Sequence, residues 1–244
     1  MTPVGGTSTG TGAGAAVRRL DLGWFVRPDS ETGDGRPRVE PALAYLVDHG
    51  GELLLFDTGI GAADPETDAH YRPYRRPLPA ALADAGVTPA DIALVVNCHL
   101  HFDHIGGNPL FPGTPLLTQR AELALARAGG HTIEELVDFP GAVFEELDGE
   151  AEIRPGLWIL PTPGHTAGHQ SLVLRRPNGT VILAGQTHTS ASDFAAAELA
   201  ARARAAGAGE PLPEPDPWVE RLLALDPRQV LFAHDAAVWE PLSG

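Results

Sequence analysis

Apolar residues gather in short runs along this chain, bounded by Gly, Pro and acidic breaks, and this predicts many short strands and few helices. Val17 to Val26 mixes apolar and charged residues and can open a sheet, whereas Arg27 to Pro41 reads as a loop. Ala42 to Val47 and Glu52 to Phe56 flank Asp48-His49-Gly50-Gly51 in the pattern of a hairpin. Ala62 to Pro79 reads as an irregular surface loop near the mouth of any site, where Tyr71, Arg72, Tyr74, Arg75 and Arg76 either grip an anionic or carbonyl substrate or, as is more usual for such a cluster, face solvent. Pro79 to Ala85 predicts a short helix stopped by Gly86, and Ile92 to Val96 a buried strand. Pro115 to Thr118 predicts a strand and Gln119 to Ala128 a helix closed by Gly129-Gly130. His131 to Val143 reads as a short helix and loop, with His131 on the surface because no ligand-like residue neighbours it. Strands are predicted over Gly156 to Leu160, Gln170 to Leu174 and Thr180 to Ala184, with Pro177-Asn178-Gly179 as a turn. Ser192 to Ala206 is alanine-rich and helical, Gly207 to Pro217 a linker, Trp218 to Leu225 an amphipathic helix, and Gln229 to Ala233 the last strand.

The strands share a habit: each runs out and delivers a polar residue. Asp57, His99, His165, Gln186 and His234 all follow apolar runs. The densest cluster is His99-Leu100-His101-Phe102-Asp103-His104. His99 and His101 alternate as in extended chain and can project the same way, while Asp103 and His104 need the chain to turn. Ile105-Gly106-Gly107-Asn108 supplies that turn, since glycine costs little where the backbone bends sharply. Nitrogen and oxygen donors packed so closely suit zinc or a similar first-row metal. Cys98 is the only cysteine, so no internal disulfide forms, and strand alternation would turn its thiol away from His99.

Composition narrows the classes. The length of 244 residues fits one α/β domain or two smaller ones, and 43% hydrophobic content can build a sizeable core. Net charge is −15, and all 17 basic side chains are arginine, which disfavours nucleic acid and anionic membranes as partners. No apolar run approaches the roughly 20 residues of a membrane span. Met1 to Ala16 lacks a basic region followed by an apolar core, so residues 1–16 read as a flexible tail and the protein as cytoplasmic. No G-x-S-x-G elbow and no Gly-rich phosphate loop occurs.

The H-x-H-x-D-H run, then Thr162-Pro163-Gly164-His165-Thr166-Ala167-Gly168-His169, then strand-end His234-Asp235, resembles the metallo-β-lactamase-fold superfamily, as does Phe56-Asp57-Thr58-Gly59. Within it, the wording is most similar to the N-acyl homoserine lactonase branch. The resemblance implies an αββα sandwich of two mixed sheets flanked by helices over residues 17–244, with the site at one edge. It implies a first metal site of His99, His101 and His165, and a second of Asp103, His104 and His234. Asp57 would hydrogen-bond a ligand histidine and fix its orientation, and His169 would support its loop rather than ligate. The implied activity is hydrolysis of an acyl bond in a small-molecule lactone or other ester by metal-bound hydroxide, with Asp103 orienting the nucleophile or passing a proton to the leaving group. A thioester hydrolase, a cyclase or dehydratase, and a non-catalytic binding relative are the alternatives.

One position departs from the family pattern. Where relatives carry Gly-Asp, with the aspartate bridging two metals, this chain reads Gly185-Gln186. A neutral amide offers one carbonyl oxygen and cannot bridge as a carboxylate does, so the three-histidine site is expected to stay filled and the second to weaken. His188 is a candidate substitute ligand or substrate contact, and Thr189 stands where the branch carries a substrate-contacting tyrosine.

Overall fold

Alternation along the strands separates two faces, and those faces build the layers. In the computed structural model, which describes residues 16–214 and 216–241, the first sheet comprises β1 (Ala16–Arg27), β2 (Arg38–His49), β3 (Glu52–Phe56), β4 (Tyr74–Arg75), β5 (Ile92–Val96), β6 (Pro115–Gln119) and β7 (Val143–Leu147). Its order is β4-β1-β2-β3-β5-β6-β7, parallel from β3 through β7. The second sheet comprises β8 (Ala151–Arg154), β9 (Leu157–Pro161), β10 (Gln170–Leu174), β11 (Thr180–Leu183), β12 (Pro227–Leu231) and β13 (Val238–Trp239). Its order is β13-β12-β11-β10-β9-β8, with only β11 and β12 parallel.

Leu43, Tyr45 and Val47 of β2 meet Leu172 and Leu174 of β10 and Val181 and Leu183 of β11 in the core between the sheets. The intervening residues turn outward: Ala44 and Leu46 pack with Leu78, Ala81 and Leu82 of α2 (Leu78–Ala83), the second helix after α1 (Pro65–Tyr71). On the far side, Val173 and Ile182 pack with Phe194, Trp218 and Leu222. These come from α5 (Ala191–Ala205) and α6 (Pro217–Leu223), which follow α3 (Phe102–Ile105) and α4 (Arg120–Arg127). The result is the expected αββα sandwich. Among the described residues no helix is long and apolar enough to cross a membrane.

Several local expectations change. The tail reading for residues 1–16 lies outside the described residues except at Ala16, which opens β1. The loop expected over residues 27–41 is shorter, because Arg38 already pairs with Arg27 across the β1–β2 ladder. The irregular loop at residues 62–79 contains α1, whose N-terminus is capped by Asp64 accepting from the Glu66 and Thr67 N–H groups. β7 and β8 are edge strands whose polar residues interrupt any apolar run, and β13 is an edge strand of only two residues, too short to read.

The sheets are also tied to one another at one edge. The Leu43 N–H donates to the Ala233 carbonyl at 2.9 Å and the Tyr45 hydroxyl to the Phe232 carbonyl at 2.7 Å. The Gln170 N–H donates to the Cys98 carbonyl at 2.8 Å, and its side-chain amide to the Asn97 carbonyl at 2.8 Å. These bonds fix the strand ends from which the polar residues emerge.

Candidate metal centre

β5 stops at Val96, and the chain bends at Cys98 and His99 before α3 begins. His101 keeps an extended backbone as the residue before the helix, and the single turn of α3 swings Asp103 and His104 inward. His99 Nε2 lies 3.0 Å from His101 Nδ1, and His165 Nε2 lies 3.1 Å from that same Nδ1. His104 Nε2 lies 3.1 Å from His234 Nε2, and Asp103 Oδ2 lies 3.6 and 3.4 Å from these two nitrogens. Donors about 2.05 Å from one tetrahedral metal stand about 3.3 Å apart, so both sets have ligand spacing. The sequence-predicted residues thus meet as two triads, His99/His101/His165 and Asp103/His104/His234.

Hydrogen bonding decides which nitrogens are free. The carbonyl of Pro41 accepts from His234 Nδ1–H at 2.9 Å, and Asp57 Oδ2 accepts from His104 Nδ1–H at 3.0 Å. Neutral rings in these tautomers turn bare Nε2 lone pairs toward each other. Gln186 Oε1, a third acceptor, lies 3.2 Å from each. Three lone pairs converging in a buried space fit a cation between them. Burial pulls His234 down to about 3 and His101 to about 4, and holds His99 well below the usual imidazole range. Burial also pulls on His104, but Asp103 and Asp57 outweigh it and raise its pKa. Burial would raise Asp103, yet the surrounding histidines hold it at about 2. The donor set is therefore mostly unprotonated at neutral pH, as metal binding requires.

Asp57 is the hinge of this arrangement. Its backbone is left-handed, with φ at 62°, and its second carboxyl oxygen accepts the Cys98 N–H at 2.8 Å. One side chain thereby orients His104 and fixes the chain just before His99. His169 accepts the Gln186 N–H on Nε2 at 3.0 Å, leaving Nδ1–H for the Thr162 carbonyl at 3.1 Å. That bonding supports the loop, in line with the expectation for His169.

Other expectations are corrected. Cys98 does not point away from the histidines: its Sγ lies 3.1 Å from His99 Nδ1 and 3.3 Å from His104 Nδ1, because strand alternation ends with β5. Gly106 and Gly107 have ordinary negative φ and supply no special bend. They permit close packing instead, since a Cβ on Gly106 would stand 2.0 Å from the Gly61 nitrogen. His188 reaches neither triad; its ring packs against Phe194 and Trp218, with centroids 5.4 and 5.3 Å away. His131 is not a free surface residue, for it bonds to buried Glu122 at 2.8 Å and its ring lies 4.4 Å from that of His101. Of the aromatic and basic cluster at residues 71–76, Tyr71 lines the cleft, while Arg75 and Arg76 pair with Asp68 and Asp84.

Sequence reasoning missed Glu122. It stands in the first turn of α4, next to buried Leu123 and one turn before buried Ala126. An acid on the apolar stripe of a helix was the available signal.

The triads open on a cleft of about 430 Å³ lined by Phe25, Tyr71 and Phe102 and by His101, Asp103, His165 and Gln186. An αββα sandwich that gathers two imidazole and carboxyl triads at one sheet edge defines a class of metal-site protein. The chain belongs to the metallo-beta-lactamase superfamily, which it matches over residues 37–234. It is 37% identical over 159 residues to an N-acyl homoserine lactonase of Bacillus cereus, covering 59% of this chain and 62% of that one. It is 40% identical over 103 residues to an N-acyl homoserine lactonase of a Bacillus species, covering 42% of this chain and 41% of that one. The matched stretches thus span less than two thirds of these two relatives. A solved N-acyl homoserine lactone hydrolase, with N-hexanoyl-L-homoserine bound at its catalytic metal centre, shares the fold at a TM-score of 0.72 and 24% identity, covering 90% of this chain and 93% of that one.

Proposed function

We propose that the protein is a metal-dependent hydrolase that opens lactone or related ester bonds of small molecules, with zinc as its metal. The observation that carries this reading is the convergence of two triads of donors at ligand spacing, with His101, Asp103 and His165 lining an open cleft. The lactonase relatives favour a lactone substrate. His99, His101 and His165 would hold one cation, and Asp103, His104 and His234 a second with the Gln186 oxygen. When bound, a divalent cation supplies Lewis-acid activation of water and of the substrate carbonyl.

The chain's own residues supply the rest. Asp103, ionised at neutral pH and facing the cleft, takes a proton from the attacking water and returns it to the leaving oxygen. Phe25, Tyr71 and Phe102 form an aromatic wall, with Tyr71 and Phe102 centroids 5.3 Å apart, that shields the reacting bond and packs against an acyl chain. Tyr71 is held by its hydroxyl donating to Glu31 at 3.0 Å. With Gln186 neutral, Asp103 is the only carboxylate of the two triads among the described residues, which favours one firmly held cation over two.

The test is turnover of N-acyl homoserine lactones of several chain lengths, an aryl ester, a thioester and a β-lactam, before and after chelation. Lactone hydrolysis that chelation abolishes and zinc restores is the expected result. Metal-loaded protein that turns over none of the panel overturns the reading.

A further inference from the structure

Glu122 has no exposed surface, and it belongs to neither triad. Its Oε1 accepts the Leu100 N–H at 2.9 Å and His131 Nε2–H at 2.8 Å. Its Oε2 accepts the Thr166 hydroxyl at 2.7 Å and the Gly168 N–H at 3.2 Å. Leu100 lies between His99 and His101, and Thr166 follows His165. One carboxyl group therefore joins both loops that carry the first triad. Those loops come from different sheets; the Gln170 N–H bond to the Cys98 carbonyl ties their bases, and the Glu122 carboxyl group ties them beyond that point, at Leu100 on one side and at Thr166 and Gly168 on the other. Gly168 makes the approach possible, because a Cβ there would stand 2.4 Å from Glu122 Cβ. The same group also holds His131 in the cleft wall beside His101.

We propose that Glu122 is a positioning residue for the metal centre: its buried carboxyl group sets the distance between the His99–His101 turn and the His165 loop, and fixes His131 against the cleft. This rests on the metallohydrolase reading. Residues that orient ligands from outside the coordination sphere are worth about 10–100-fold in metal affinity. A Gln at this position keeps the size but turns an NH2 group, a donor, against one of the two donor pairs.

The test compares zinc affinity, by chelator competition, in the intact wild-type, Glu122→Gln and Thr166→Val proteins, with far-UV circular dichroism and melting as folding controls. Glu122→Gln is expected to fold and to bind its first zinc equivalent 10–100-fold more weakly, and Thr166→Val, which deletes one donor, to weaken binding by less than tenfold. A purely structural role would lower the melting temperature of Glu122→Gln and leave zinc affinity alone, which overturns the proposal. If Glu122→Gln does not fold, unchanged affinity in Thr166→Val overturns it. Wild-type protein that binds zinc but hydrolyses nothing overturns the proposed function instead, while the affinity comparison still decides the role of Glu122.

Discussion

His104 Nε2 and His234 Nε2 face each other 3.1 Å apart across 130 residues of sequence, each with its other ring nitrogen already donating elsewhere. Neither has a proton to offer the other in the neutral form. The contact is repulsive unless a proton or a cation lies between, and Gln186 Oε1 adds a third acceptor at the same point.

Gln186→Asp places a charged oxygen at that point. It is expected to raise retention of the second metal equivalent at least tenfold, because carboxylate binding of a divalent cation in a partly buried site is far stronger than that of a neutral amide oxygen. Elemental analysis after dialysis against a weak chelator measures it; unchanged stoichiometry would show that residue 186 is no ligand.

Asp57→Asn retains a residue type that tolerates the left-handed backbone at φ 62°. It loses one of two strong acceptors, so the Cys98 N–H and His104 Nδ1–H can no longer both bond to a carboxylate. Metal affinity is expected to fall about 10–100-fold with the fold retained. Calorimetric titration with zinc decides the point, and wild-type affinity would refute it.

Chelated protein is expected to lose stability as pH falls from about 6.5, the ordinary histidine value. Burial depresses His101 to about 4, His169 and His234 to about 3, and His165 to about 2. Below 6.5 the unfolded chain takes up protons that these folded rings refuse, so stability drops until pH reaches the folded values. His104, raised, acts in the opposite sense but is a single group. Urea midpoints at pH 7.5 and pH 5 measure the balance; a higher midpoint at pH 5 would contradict it.

Gly106→Ala drives a methyl group to 2.0 Å from the Gly61 nitrogen and 2.2 Å from the Ile60 carbonyl carbon, backbone atoms that cannot rotate away. A loss of about 3 kcal/mol or more is expected from overpacking. Equilibrium unfolding checks it, and a loss below about 0.5 kcal/mol, the usual scale of a neutral surface change, would place the 57–61 loop further from α3 than the contact implies.

The layered fold was legible because its signals are local: apolar runs and Gly/Pro breaks survive in one dimension, so most central strands fall where the sequence places them. The candidate ligands were legible for a similar reason, since His99, His101, Asp103 and His104 crowd into six positions and His165 and His234 each follow an apolar run. Edge strands β7 and β8 escaped because a strand half in water carries no apolar run to read, and β13 because it has only two residues. His188 and His131 changed places in significance. Chain position puts His188 next to the site, but after Gln186 the backbone turns its ring into the aromatic layer of α5 and α6.

The sequence by itself determined the central strands, helices α2, α4, α5 and α6 and the set of candidate ligands, because each depends on residues near one another along the chain. Only the tertiary structure decided which nitrogen of His104 and of His234 is free, that Glu122 reaches across to two loops, and that Gly106 and Gly168 serve close approach rather than bending. Those outcomes depend on distances between segments that meet only when the two sheets close on each other, and no local pattern encodes such a distance.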